Sequence, residues 1–141
     1  MIPKALLKTN GRFMSLLHGL PVLGDPIVRG MNRVAGRLAF HAPVLGGKKG
    51  ASIGEVREGA ERFLRRAGIA FTVTGGDEKS FRMEVERCPY GFCKPEAFGV
   101  CDAAMDLDRT YIRLLGGELV IEERLAGGSD KCRFTVRLLE R

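Results

Sequence analysis

The second half of the chain moves between two hydrophobic rhythms. Ile53, Val56, Ala60, Phe63, Leu64 and Ala67 recur at three- and four-residue steps, the spacing of one helix face. Ser52 and Glu55 open that helix as a capping box, Arg65 and Arg66 suit its last turn, and Gly68 supplies a left-handed stop. The period then drops to two over residues 69–74 and 79–87, with Gly75-Gly76-Asp77-Glu78 as the turn of a hairpin. Phe71, Val73, Phe81, Met83 and Val85 fall on the core side, and continued alternation places Arg87 there too. Pro95 and Glu96 open a second helix with the stripe Phe98, Cys101, Met105, Asp108, Ile112, Leu115, closed by Gly116 and Gly117. Residues 118–125 and 131–139 form a second hairpin around a turn at 126–130. Leu119, Ile121, Glu123 and Leu125 share one face, and Cys132, Phe134, Val136 and Leu138 share another.

Helix, hairpin, helix, hairpin predicts an α+β fold with a four-stranded antiparallel sheet in αββαββ order and both helices on one face. Residues 1–50 are broken by Gly19, Pro21, Gly24, Pro26, Pro43, Gly46 and Gly47 and carry short helical patterns. The clearest runs from 26 to 40. Ile27, Met31, Val34 and Leu38 are expected to face the rest of the protein, and Arg29, Arg33 and Arg37 to face water. The chain therefore divides into a basic helical N-terminal extension, 1–50, and an α+β cysteine-containing domain, 51–141.

A length of 141 residues, 45% hydrophobic and 28% charged, with a mean hydropathy of −0.04, fits one globular core and excludes collagen-like, disordered and multi-span membrane classes. The net charge of +6 is local. Residues 1–50 hold eight basic residues against Asp25 alone, and the remainder holds 15 basic against 16 acidic. That asymmetry suggests either a solvated face or contact with an anionic membrane or an acidic protein. No Walker loop, no GxGxxG before a helix and no aromatic–basic interleaving appear, so no nucleic-acid partner is expected. Lys4, Lys8 and Arg12 precede an apolar run from 14 to 23 that His18, Gly19 and Pro21 interrupt, unlike a cleaved export signal. A cytoplasmic location with reduced thiols is the expectation.

Candidate chemistry lies where the pattern is broken. Arg87, Asp108 and Glu123 fall on apolar faces, where a charge without a partner is costly. They form either an internal ion pair with a wet edge or a polar pocket in which Arg87 clamps a small carboxylate and an acidic residue is the general base. Asp102 and Asp106 are nearby candidates for that base. The cysteines stand at 88, 93, 101 and 132. Cys88, Cys101 and Cys132 could converge at one end of the sheet, as a zinc or iron–sulfur site together with Cys93, as a catalytic thiolate, or as small buried hydrophobes. No C-x2-C knuckle supports the metal option, and His18 and His41 are remote in sequence and read as structural.

The order Arg87-Cys88-Pro89-Tyr90, Val100-Cys101-Asp102 and Gly127-Gly128-Ser129-Asp130-Lys131-Cys132-Arg133-Phe134 resembles the L-2-amino-thiazoline-4-carboxylic acid hydrolase family over about residues 50–138. More distantly, it is similar to small-molecule-binding domains of the vinyl reductase type. The first resemblance implies hydrolysis of non-peptide C–N bonds in a cyclic amidine such as 2-amino-thiazoline-4-carboxylate. Arg87 would hold the substrate carboxylate, Cys88 or Cys101 would be the nucleophile or a metal ligand, and Asp102 the base; Asp108 and Glu123, singled out by their place on apolar faces, would complete the substrate-binding pocket. No cofactor is implied. The second resemblance implies a non-enzymatic module that senses a small molecule or a metal. The sequence differs from the hydrolase pattern in Cys93, in Ser129 between the closing Gly and Asp, and in the acidic residue directly after Cys101.

Overall fold

A computed structural model describes residues 2–140. The order is α1 (Lys4–His18), α2 (Gly24–His41), α3 (Ile53–Ala67), β1 (Thr72–Gly76), β2 (Ser80–Val85), α4 (Phe98–Ala104), α5 (Asp106–Leu115), β3 (Gly117–Glu123) and β4 (Cys132–Leu138). Short 3-10 turns at Pro95–Ala97 and Leu125–Gly127 precede α4 and β4.

The end signals of α3 act as its sequence predicts. The Glu55 amide donates to Ser52 Oγ at 3.3 Å, Glu55 Oε2 accepts from the Ala51 amide at 2.6 Å, and Gly68 closes the helix at φ 76°. The expected single helix over 95–115 is instead a 3-10 turn and two helices that meet at Met105, whose ψ of −9° breaks the regular α geometry.

The four strands form one antiparallel sheet in the order β1-β2-β4-β3. The hairpins are thus joined side by side through β2 and β4. Phe81, Met83 and Val136 present the sheet's apolar face to Val56, Ala60, Phe63 and Leu64 of α3 and to Tyr111, Ile112 and Leu115 of α5. The opposite face is polar: Lys131 Nζ lies 2.7 Å from Glu84, and Thr135 donates to Glu122 at 2.7 Å. A second apolar cluster gathers Met14, Val28, Phe92, Val100, Cys101, Ala103, Ala104 and Ala126 around α4.

The helix α2 is rotated relative to the expected orientation. Gly24, Val28, Asn32 and Gly36 are its buried residues, whereas Ile27, Met31, Val34 and Leu38 are exposed. Small residues set this face. A methyl at Gly36 would stand 2.6 Å from the Leu107 carbonyl, so glycine lets α2 lie directly against α5. Arg29 is carried inward with that face and meets Asp102 and Asp106, while Arg33 stays exposed, as expected, and reaches Asp106 from the rim. No described helix is long and apolar enough to cross a membrane.

Candidate functional site

A cavity of about 190 Å³ lies where the two apolar clusters meet. Phe63 and Leu64 of α3, Met83 of β2, Cys101 of α4, Tyr111 of α5 and Phe134 of β4 supply much of its wall. Among the described residues, the lining carries no lysine, arginine or histidine. Polar character comes from the thiols of Cys88, Cys101 and Cys132, the hydroxyls of Tyr90 and Tyr111, and one carboxyl, Asp108.

The thiols arrive from three elements: the loop after β2, the buried face of α4 and the start of β4. All four cysteines are free. Burial pushes the pKa of Cys101 up to about 12, with the nearby Cys88 sulfur adding to the effect. Burial also raises Cys88 and Cys132. Cys88 differs in its backbone surroundings. The Phe92 amide donates to its sulfur at 3.3 Å, and the amides of Tyr90 and Gly91 also favour its thiolate. Three amides thus favour the Cys88 thiolate against one at Cys132, whose sulfur accepts from the Leu125 amide at 3.4 Å, although burial still raises the pKa of both.

Asp108 stands in the cavity wall without a side-chain partner among the described residues. By accessible surface it is half-buried, at the wall of the cavity. Burial pushes its pKa up to about 7, against the smaller opposing effects of its own backbone amide and the charge of Arg109.

The other acidic residues of this helix pair meet the opposite environment. Asp102 accepts from Arg29 Nη2 at 2.8 Å and Arg109 Nη2 at 2.7 Å, and pairs with Arg124 Nη2 at 2.7 Å. Burial acts to raise its pKa, but hydrogen bonds from Arg109, Arg29 and Arg124 outweigh that and hold it far below the usual carboxylate range. Asp106, buried, pairs with Arg33 at 2.8 Å, Arg109 at 2.8 Å and Arg29 at 3.4 Å. Asp25 continues the chain of charges, bridging Arg29 at 2.7 Å and His18 at 3.1 Å. Such a network staples α2 to α4 and α5.

Of the residues singled out in the sequence, Cys88, Cys101, Cys132 and Asp108 come together at the cavity. Arg87 does not. β2 ends at Val85, the chain bends at Glu86 and Arg87, and the interrupted alternation leaves Arg87 exposed. Glu123 is also exposed, since a register irregularity between Ile121 and Glu123 turns it out of the face it would share with Leu119, and it pairs with Arg133. Asp102, fixed by three guanidiniums, is a poor proton acceptor. Cys93 is exposed, away from the cavity beside α1, and among the described residues no group of three or more His, Cys, Asp or Glu side chains could hold a metal ion. Tyr90 was not anticipated. Its only signal is position, in the turn between Cys88 and Cys93.

No family model matches the sequence, and no curated protein matches it. Among solved structures, the chain is similar to a trafficking protein particle complex subunit 3 from Naegleria fowleri, covalently bound to palmitic acid, with a TM-score of 0.59. The two share 17% identity over 97% of this chain and 95% of that one. At that identity the likeness is one of fold.

Proposed function

We propose that the protein is a binding module for a single-chain apolar ligand held between α3, α5 and the sheet. The observation that carries this reading is the cavity wall: apolar on nearly all sides, without a cation among the described residues, and reached by three free thiols. Apolar protein cavities of about 150 Å³ accept a molecule the size of benzene. A cavity of about 190 Å³ therefore accommodates a ring or a medium-length alkyl chain, with affinity drawn from transferring that chain out of water. The neighbour of like fold carries a saturated chain on a covalent bond. The corresponding chemistry here falls to Cys88. Its thiolate would attack the carbonyl of an acyl thioester, form a new thioester and expel the donor thiol. Hydrolysis of a cyclic amidine gains no support from the lining, since Arg87 is exposed and Asp102 is occupied by guanidiniums.

Titration with alkanols of increasing chain length, followed by calorimetry, tests the cavity. Saturable binding that strengthens with each methylene up to a limiting length is expected, with a negative heat-capacity change. Absence of saturable binding at every length removes the proposal. Incubation with a medium-chain acyl thioester followed by intact-mass measurement tests the thiol. A single acyl increment, released by hydroxylamine and lost in Cys88→Ser, is expected.

A further inference from the structure

Hydrophobic side chains scattered singly over a protein surface need no explanation, but a concentration of them does. Of the large hydrophobic side chains that stand exposed among the described residues, all but Phe98 and Leu139 lie between Leu6 and Val44. On α1, Leu7, Gly11 and Met14 are buried, whereas Leu6, Phe13 and Leu16 are open to solvent. On α2, Gly24, Val28, Asn32 and Gly36 are buried, and Ile27, Met31, Val34 and Leu38 form an exposed stripe at three- and four-residue steps. Asn32 Nδ2 donates to Met14 Sδ at 3.3 Å, so the two helices are fastened to each other through buried residues and both outward apolar sets are left unused.

The turn between the helices is more exposed still. Leu20, Val22 and Leu23 are all open to solvent, Val22 at 91%. Val22 also sits at φ 66°, the left-handed region that a β-branched residue avoids. Asparagine or glycine would suit a plain turn better, so an apolar side chain is held at this tip at a cost in both strain and exposure.

Charge selects what covers the surface. Lys4, Lys8 and Arg12 follow one another at four-residue steps along α1, Arg37 lies near the end of α2, and all four are exposed without an ion-pair partner among the described residues. Asp25, the one acidic residue in the first fifty, is occupied by Arg29 and His18. A second copy laid symmetrically on the same face would bring these cations against their own kind. The apolar residues are also spread along two helices and a turn instead of gathered around one anchoring pocket, as a protein partner would favour. An anionic bilayer meets both features at once, with negative headgroups at its surface and hydrocarbon directly beneath them.

We propose that α1, the turn at 19–23 and α2 form a membrane-docking surface that lies in the interface of an anionic bilayer. Leu16, Val22 and Leu38 enter the boundary of the acyl chains, and Lys8, Arg12 and Arg37 lie among the headgroups. The surface uses the outward residues of α1, whereas the buried Leu7 belongs to the cavity wall, so the assignment stands independently of the apolar-chain reading above.

Sedimentation of the full-length chain with phosphatidylcholine vesicles, and with vesicles of phosphatidylcholine and phosphatidylserine in equal parts, tests it. Binding to the mixed vesicles is expected, about tenfold or more tighter than to the neutral ones and declining steeply as salt rises from about 0.05 M to about 0.5 M. Lys8→Gln combined with Arg12→Gln should weaken binding to the mixed vesicles by about 25-fold, at roughly fivefold for each cation lost, and leave binding to neutral vesicles unchanged. Leu16→Ser and Leu38→Ser, at positions 76% and 67% exposed, should each weaken docking without lowering the thermal midpoint. Val22→Asn suits the left-handed conformation, so it should weaken docking while raising that midpoint, whereas a structural role would move the two in the same direction. Equal binding to the two kinds of vesicle, or insensitivity to salt, overturns the assignment. Absence of binding at low salt also overturns it and gives the face to an acidic protein, and a dimer in light scattering that Leu38→Ser dissociates gives it to a second copy.

Discussion

Asp106 and Asp108 stand two residues apart on α5 and experience opposite worlds. Asp106 faces α2 and is surrounded by Arg29, Arg33 and Arg109. Asp108 faces the cavity, has no ion-pair partner among the described residues, and is pushed toward neutrality by burial. Both are held within the protein, so depth alone does not explain the contrast. What differs is whether a charge was supplied along with the burial. On the α2 side, four guanidiniums answer two carboxylates, and the region is fastened by its charges. On the sheet side no side chain among the described residues answers the single carboxyl. The same helix thus carries a structural seam on one face and part of a cavity wall on the other.

The sharpest way to break this contrast is to empty the seam. Asp106→Ala leaves Arg29, Arg33 and Arg109 short of a common partner, and removal of one member of a buried ion cluster is expected to lower stability by about 3 to 4 kcal/mol. Urea denaturation should show a lower midpoint at an unchanged slope. The acid limb should report the same seam through Asp102. Its pKa is depressed in the folded state, so the stability it contributes is fully present above the unfolded value near 4 and is lost as pH falls below that toward the folded value. Asp102→Asn should flatten that limb.

Asp108 should behave with the opposite sign. Its folded pKa lies above its unfolded one, so the folded protein is favoured below about pH 4, loses stability as pH rises toward 7, and is level beyond. A shift of about three units bounds the effect near 4 kcal/mol, and the amide of an Asn replacement recovers only part of it. Asp108→Asn is therefore expected to raise stability by about 2 kcal/mol at pH 8, with the gain disappearing near pH 4. Chemical denaturation at the two pH values checks it. A variant that is less stable at pH 8 would show that the carboxylate has a partner after all.

How much of this was legible follows the same physics. The α3 caps, both hairpins and the α+β class rest on local rules of spacing and turn chemistry, and they are present as read. Cys101 and Cys132 reach the cavity from regular helix and strand faces, whereas Cys88 and Asp108 reach it although each lies past a break, the strand end at Val85 and the helix junction at Met105. Arg87 and Glu123 were misplaced because each lies just past a break, the strand end at Val85 and the irregularity after Ile121, beyond which alternation no longer orients side chains. The orientation of α2 was inverted for a different reason. Hydrophobicity favoured burying Ile27, Met31, Val34 and Leu38, but close approach of backbones at Gly36 and the acidic residues waiting on α4 and α5 outweighed it. Neither term can be read from α2 alone.

Gly36 tests that explanation. The alanine methyl would meet the Leu107 carbonyl at 2.6 Å and Thr110 Cβ at 3.0 Å, both on α5 itself. Alanine gains helix propensity, which offsets part of the clash. A net loss of about 1 to 2 kcal/mol is expected for Gly36→Ala by thermal unfolding, with the Asp102 acid limb weakened because α2 is displaced from its partners. An unchanged acid limb would place the ion network's hold on α2 elsewhere.

Arg33 should matter least, and the reason separates the parts of the seam. Its guanidinium reaches Asp106 at 2.8 Å, as close as that of Arg109, yet its side chain is 59% exposed against 33% for Arg109. Water already solvates most of it, so the attraction is screened and the entropy of holding a long side chain offsets much of the rest. Arg33→Ala is expected to cost only about 0.5 kcal/mol, diminishing further in high salt, while Asp106 keeps Arg29 and Arg109. Because the contact distances are alike, a loss as large as that of Asp106→Ala would mean that charge count governs the seam, and a small one that solvent access does. The second outcome extends directly to Asp108: on both faces of α5, the consequence of a charge is set by what replaces the water it has lost.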